Sequence, residues 1–269
     1  MNRQTRGTRG HRVPRDLVLR AVVLLGTAVT FCALAWFVLR TEQGQRLDDA
    51  AMESVIAGRE THLTVLSLLG YVSIGSIVAV ALICVVLTVS RGQVTAAVAA
   101  LVVLAGANIS TQVLKHTVLE RAEGFVLAPN SFPSGHTTVV AAGVGALLLA
   151  APRPLRPLVV LGGAFATTMT GASTVVAGWH RPSDVVGAVL VALAWTTAAA
   201  LLMRGPTDRA RIAWFVAPVG AAAAGVVLVV IGVRPSYGWS GFMEAAVVLG
   251  VVAAVIAGAI ALMHRVASR

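Results

Sequence analysis

Long apolar runs separated by short polar stretches extend along almost the whole chain. A bilayer core of about 30 Å requires roughly 20 apolar residues in a helix, and eight runs approach or exceed that length. They cover residues 21–39, 63–89, 94–114, 136–151, 158–176, 185–203, 212–233 and 242–263. The pattern predicts eight transmembrane helices. The first run lacks a small-residue cleavage site after it, so we expect it to be retained as a helix.

The segment between the first two runs has a different periodicity. Apolar residues recur at helical spacing on one side of it, and acidic residues occupy the other. The apolar set is Leu47, Ala51, Met52, Val55 and Ile56, and the acidic set is Asp48, Asp49 and Glu53. This pattern predicts an amphipathic helix at the outer membrane interface. A solvated loop is the alternative.

Composition excludes an ordinary soluble domain. Hydrophobic residues make up 57% of the chain, and charged residues only 12%, about half of the roughly 25% usual in soluble proteins. Cys32 and Cys84 both lie within apolar runs, which argues against a disulfide framework or a zinc site. The net charge of +10 comes from singly scattered arginines. Because they form no continuous basic patch, we expect no nucleic-acid partner.

The arginines instead predict the orientation of the chain in the bilayer. The first 20 residues contain six arginines and one acid, and basic residues are retained on the cytoplasmic side. Alternation then places the arginines at 91, 153–156, 204–211 and 265–269 on the same side, and most acids on the other. We expect a multi-pass protein of the cell membrane with both termini in the cytoplasm.

These features predict an all-α, polytopic membrane helix bundle with three parts. Residues 1–20 form a basic cytoplasmic tail, residues 21–203 a six-span core, and residues 204–269 two additional spans with a short tail. We separate the last two spans from the six-span core because no cluster of polar residues falls within them.

Ionisable residues at membrane depth are costly and therefore suggest function. Here they occur at three places, which are Lys115, the Ser134–His136 string, and His180 with Asp184. All three lie on the predicted outer side. Lys115 is the only lysine and shares a helical face with Asn108, which indicates a polar pocket, although a lysine marking a span end is the alternative.

The two histidine segments each suggest a chemical role. Ser134 and Gly135 stand where a helix begins, and free N–H groups with the positive end of a helix dipole bind anions there. His180 and Asp184 are four residues apart, so the carboxylate can hold one ring nitrogen and leave the other free to attack. Incidental helix capping is the alternative for both. Two histidines and one aspartate make a poor metal site, and we expect neither metal nor cofactor.

Together these residues resemble the three signature motifs of the type-2 phosphatidic acid phosphatase superfamily, in its integral-membrane branch. The motifs extend from Lys115 through the Pro133–His136 string to Ser173, His180 and Asp184. The resemblance implies a six-helix core with His180 as the nucleophile that becomes a phosphohistidine, oriented by Asp184. It implies that His136 protonates the leaving group and that Lys115, Ser134, Gly135 and Ser173 hold the phosphate, without a metal ion.

Two arginines of the family pattern are missing. The family has Arg-Pro where this chain has Ala122 and Glu123, and it has Arg where this chain has Thr174. Arg121, one residue before the expected position, and Arg181, next to His180, are the candidate replacements in the phosphate site.

The predicted function is hydrolysis of an amphiphilic lipid phosphate or polyprenyl diphosphate at the extracytoplasmic face. The substrates implied by the family are phosphatidate, phosphatidylglycerol phosphate and polyprenyl diphosphates, among which the sequence does not choose. One alternative is a phosphotransferase that passes the phosphoryl group to a lipid or sugar hydroxyl. Another is a non-catalytic lipid-binding scaffold.

Overall fold

The computed structural model describes residues 15–55, 59–70, 72–120, 130–203, 211–233 and 241–268, whose regular structure is helical. The helices are α1 (Arg15–Arg40), α2 (Glu42–Glu53), α3 (Arg59–Gly70), α4 (Ile74–Val89), α5 (Val94–Val113), α6 (Gly135–Ala150), α7 (Arg156–Val176), α8 (Pro182–Leu201), α9 (Ala213–Val230) and α10 (Phe242–Ala267). A π-helical turn (Leu114–Val118) extends α5, and a 3₁₀ turn (Arg153–Leu155) precedes α7. The predicted all-α bundle is confirmed.

Helix length supports a multi-pass membrane protein. Within the described ranges, six helices are long and apolar enough to cross a bilayer, namely α1, α5, α7, α8, α9 and α10. Helices α4 and α6 are also apolar but have 16 residues each, a rise of only about 24 Å.

The second predicted span, residues 63–89, is wrong as a single helix. The chain leaves α3 at Gly70 and begins α4 at Ile74. Between them Ser73 adopts an extended conformation (φ −138°, ψ 177°), and its N–H donates to the Ser76 hydroxyl at 3.2 Å. Glycine is a poor helix former and serine a good N-cap, so local chemistry interrupts an otherwise continuous apolar run.

The main core is built largely from alanine and other small residues, which allow helix backbones to approach closely. It contains Ala99 from α5, Ala146 from α6 and Ala192 from α8, all fully buried. Ala217 of α9 and Ile260 of α10 belong to the same cluster. The two C-terminal helices therefore share one core with the preceding spans, and their treatment as a separate unit stays a prediction.

Two arginines join helix ends on one side of the bundle. Arg20 of α1 donates to the carbonyls of Met203 at 3.0 Å and Val266 at 3.2 Å. Arg91 donates to the carbonyl of Ala150 at the end of α6. The start of α1 and the ends of α6, α8 and α10 thus lie at one end, as strict alternation requires. The starts of α6 and α8, beside which the candidate residues His136 and His180 lie, are at the other end of the bundle.

Candidate active site

A histidine just before α8 contacts a carboxylate in the first turn of that helix. His180 Nδ1 lies 3.1 Å from Asp184 Oδ2, and Asp184 is completely buried. The same oxygen accepts from the backbone N–H of Arg181 at 3.0 Å and from the Ser131 hydroxyl. With Nδ1 bound to the carboxylate, the assigned tautomer carries its proton there. The lone pair of Nε2 is then free.

The first turn of α6 has the features of an anion site. Ser134 is the N-cap, and its hydroxyl accepts from the Thr137 N–H at 3.4 Å and the Thr137 hydroxyl at 3.1 Å. Its own proton remains available to another acceptor. The N–H groups of Gly135 and His136 belong to the first turn and lack intrahelical acceptors. Gln112 of α5 lies beside this turn, with Nε2 3.6 Å from where a Cβ on Gly135 would be.

The two helix starts are joined directly. The Ser134 N–H donates to the Asp184 carbonyl at 2.9 Å. Phe132, two residues earlier, is fully buried, with its ring 5.4 Å from that of Phe31 in α1. On its other side a Cβ at Gly187 would lie 2.5 Å from the Phe132 ring, so glycine is required for this approach. The loop before α6 is thereby held against α8.

Lys115 and His136 complete the cluster of motif residues. Electrostatic interactions link His136 with His180 and with Lys115, and link Lys115 with Asp184. Lys115 lies in the π-helical turn that ends α5, a local irregularity that is frequent at functional sites. The ring of His136 lies 5.7 Å from that of Trp179, which is partly exposed.

The last turn of α7 approaches the same place through its backbone. The Thr174 carbonyl accepts from the N–H groups of Trp179 at 3.1 Å and His180 at 3.2 Å. Thr174 is itself fully buried, and its hydroxyl donates to the Gly171 carbonyl at 2.7 Å. The hydroxyl of Ser173 is also buried, and it has no hydrogen-bond partner among the described residues. Thr167 and Thr168 of α7 also have buried hydroxyls without a partner among the described residues, and Ser173 is the one of the three nearest in sequence to the end of α7.

Of the two arginines expected to replace the missing ones, the structure describes Arg181 but not Arg121. Arg121 lies outside the described residues, so its role stays a prediction. Arg181 is buried, its Nε forms an ion pair with Asp49 of α2, and its Nη1 donates to Ser131 at 3.4 Å. Its guanidinium is thus engaged by the protein.

The structure confirms the predicted helix α2, but two of its three acids do not face water. Asp48 is 7% exposed and Asp49 pairs with Arg181, whereas Glu53 is exposed. The reason is that Ser183 and Arg181 provide hydrogen bonds and an ion pair in place of solvent. Sequence reasoning missed Asp48, Asp49 and Ser131 as part of this site, and the two adjacent acids were the only available signal.

The parts of the chain that the structure describes contain no cluster of side chains suited to bind a metal ion. No three side chains of His, Cys, Asp or Glu come together there in a way that could hold a metal ion. The expectation that the site works without a metal stays a prediction.

Comparison with known protein families gives a match in the central part of the chain. The model of the PAP2 superfamily matches residues 96–208. This stretch includes every motif residue from Lys115 to Asp184, whereas Asp48 and Asp49 precede it. No curated protein and no solved structure matches the chain.

Asp48 makes stability depend on pH. Burial raises the pKa of its carboxyl from 3.8 to about 6, and the charge of Asp184 adds to this, while Ser183 and Arg181 oppose it. At Asp48 the folded state therefore binds more protons than the unfolded chain between these values, so the contribution of this residue to stability is greatest below about pH 4 and falls as pH rises through about 6.

We expect Asp48→Asn to remove this loss. In detergent the melting temperature of the variant should match that of the wild type near pH 4 and exceed it at pH 7. The corresponding gain in unfolding free energy at pH 7 should be at most about 3 kcal/mol. A variant that is less stable than the wild type at pH 7 would mean that the ionised carboxylate stabilises the fold.

Proposed function

Residues 96–208 match the PAP2 superfamily, and from this match we propose that the chain is a membrane phosphatase that hydrolyses a lipid phosphate or diphosphate through a phosphohistidine. The observation that carries the proposal is the His180–Asp184 hydrogen bond beside the start of α6. It combines an oriented imidazole with a helix N-terminus suited to a phosphate group.

In the proposed reaction, Nε2 of His180 attacks phosphorus and the bond from phosphorus to the leaving oxygen breaks. Protonated His136 donates its proton to that oxygen. Water, deprotonated by the now neutral His136, then attacks the phosphohistidine, releasing phosphate and restoring His180. Lys115, the hydroxyls of Ser134 and Ser173, and the N–H of Gly135 bind the phosphate oxygens and stabilise the transition-state charge. Arg121 is a further candidate for this role.

An apolar groove supports a lipid as the substrate. A groove of about 500 Å³ lies between α4, α6 and α7. Val140, Gly143 and Leu147 line it and follow His136 by four, seven and eleven residues, so they lie on the same side of α6 as His136. We propose that the hydrocarbon chain of the leaving group occupies this groove, because its oxygen must lie beside His136 when the phosphate is bound.

A second apolar crevice is larger, about 990 Å³, but it lies between α7, α9 and α10. Its lining includes no residue of α5, α6 or α8, the helices that carry or directly adjoin the lysine, both histidines and the aspartate. The smaller groove therefore has the better connection to the reacting groups.

Filling the smaller groove tests this assignment. A Cβ at Gly162 has no neighbour within 4 Å, and neither has one at Gly225 in the other crevice. We expect Gly162→Leu to lower kcat/KM for a long-chain lipid phosphate by about tenfold or more, because displacing two methylenes from apolar contact costs about 1.6 kcal/mol. Activity on p-nitrophenyl phosphate, which has no chain, should change less than twofold.

Gly225→Leu is the matched control and should leave both substrates unaffected. If long-chain activity is lost in Gly225→Leu and kept in Gly162→Leu, the chain binds in the larger crevice. If neither variant discriminates between the substrates, neither groove holds the chain.

We also propose that the site opens on the extracytoplasmic side. The arginines at the start of α1 and beside α5 and α7 lie at the end of the bundle opposite to His180, and the positive-inside rule assigns that end to the cytoplasm.

Intact cells that make the protein should therefore hydrolyse a membrane-impermeant phosphate monoester added outside. Cells making His180→Ala provide the background, since they carry the same protein without its nucleophile. Permeabilising the cells should leave the difference in phosphate release unchanged. A difference that appears only after permeabilisation would place the site on the cytoplasmic side, and no difference in either case would contradict the proposed function.

A further inference from the structure

Helix α2 is fixed at both ends against the bundle. The Thr41 hydroxyl, at the single residue between α1 and α2, donates to the Phe37 carbonyl at 2.6 Å and accepts from the Gly44 N–H at 3.0 Å. A Cβ at Gly44 would lie 2.2 Å from the Phe37 oxygen, so only glycine permits this corner. Just beyond α2, Val55 is buried in the same apolar cluster as Ala172 of α7.

Two consecutive acids of this fixed helix contact the first turn of α8. Asp48 accepts from the N–H of Ser183 at 3.1 Å and from its hydroxyl. Asp49 forms an ion pair with Arg181. The first N–H groups of a helix need acceptors from elsewhere, and Arg181, at the N-cap position of α8, has no side-chain acceptor. Helix α2 thus supplies the cap that α8 lacks.

From Arg181 the contacts lead to the carboxylate that orients the nucleophile. The Arg181 N–H donates to Asp184 Oδ2 at 3.0 Å, and its Nη1 donates to the Ser131 hydroxyl at 3.4 Å. That hydroxyl donates to the same Asp184 oxygen, which also bonds His180. Displacing the Arg181 side chain would therefore release Ser131, one of the groups that fix Asp184, and free the residue whose backbone N–H is another.

We propose that α2 is a positioning element for the nucleophile. Asp49 holds Arg181, and Arg181 with Ser131 holds the Asp184 oxygen that orients His180. The inference rests on the proposed function of His180. It makes Arg181 a positioning residue in place of the phosphate ligand expected from the sequence, and it assigns a role to residues that precede the matched PAP2 region.

The two roles of Arg181 predict opposite effects of removing the Asp49 charge. If Arg181 binds the phosphate, Asp49 competes for it, so Asp49→Asn would keep or raise activity and tighten inhibition by orthovanadate. If Arg181 positions Asp184, Asp49→Asn releases it and slows the chemical step. Glu42→Gln is the matched control, because Glu42 lies on the same helix but pairs with the exposed Arg46.

The test measures kcat and KM on p-nitrophenyl phosphate and inhibition by orthovanadate. We expect Asp49→Asn to lower kcat by about tenfold, the smaller end of the effects seen when outer-shell partners are removed, with KM and vanadate inhibition changed less than threefold. Glu42→Gln should match the wild type. The double variant Asp49→Asn with Arg181→Gln should be no slower than Arg181→Gln, because both changes interrupt one series of contacts. The double variant also serves if Asp49→Asn fails to fold, because it removes both charges of the pair and leaves no unpaired buried charge.

A kcat of Asp49→Asn within twofold of the wild type overturns the proposal, as does tighter vanadate binding. A second measurement does not depend on turnover. Modification of His180 by diethyl pyrocarbonate, followed by peptide mass spectrometry, should be faster in Asp49→Asn than in Glu42→Gln. If the wild type is inactive, the proposed function fails, and equal rates of His180 modification would then also exclude a positioning role for α2.

Discussion

A buried carboxylate at the start of α8 is the constraint on which the site depends. Asp184 has no exposure to solvent, so its charge must be stabilised by hydrogen bonds and by the positive end of the α8 dipole. One oxygen accepts from His180, Arg181 and Ser131. Satisfying this oxygen fixes the ring of His180 and brings the loop before α6 to the start of α8.

Close packing of small and large residues then sets where the second half of the site lies. Gly187 admits the Phe132 ring, and the Ser134 N–H reaches the Asp184 carbonyl at 2.9 Å. His180, the proposed nucleophile, and the start of α6, the proposed phosphate site, are therefore held together by direct contacts. The smaller apolar groove lies along the same side of α6 as His136 and begins one helical turn after it, at Val139 and Val140.

The sequence predicted features that depend on local spacing. His180 and Asp184 are separated by one helical turn, and Ser134 directly precedes a helix, so their local geometry followed from the pattern. Contacts across the chain could not be predicted. Asp49 and Arg181 are 132 residues apart, and amphipathic periodicity placed the acids of α2 in solvent because it carries no information about buried partners. The break in the 63–89 run was not predicted because Gly70 and Ser73 are flanked by apolar residues.

The most direct test of the account is to locate the phosphoryl group on the trapped enzyme. Protein quenched during turnover in alkali, where phosphoramidates survive, should carry phosphate on Nε2 of His180, because Nδ1 is held by Asp184. Peptide mass spectrometry would identify the residue, and phosphorus NMR the nitrogen. Phosphate on His136, or on Nδ1 of His180, would contradict the account, as would turnover by His180→Ala at the wild-type rate.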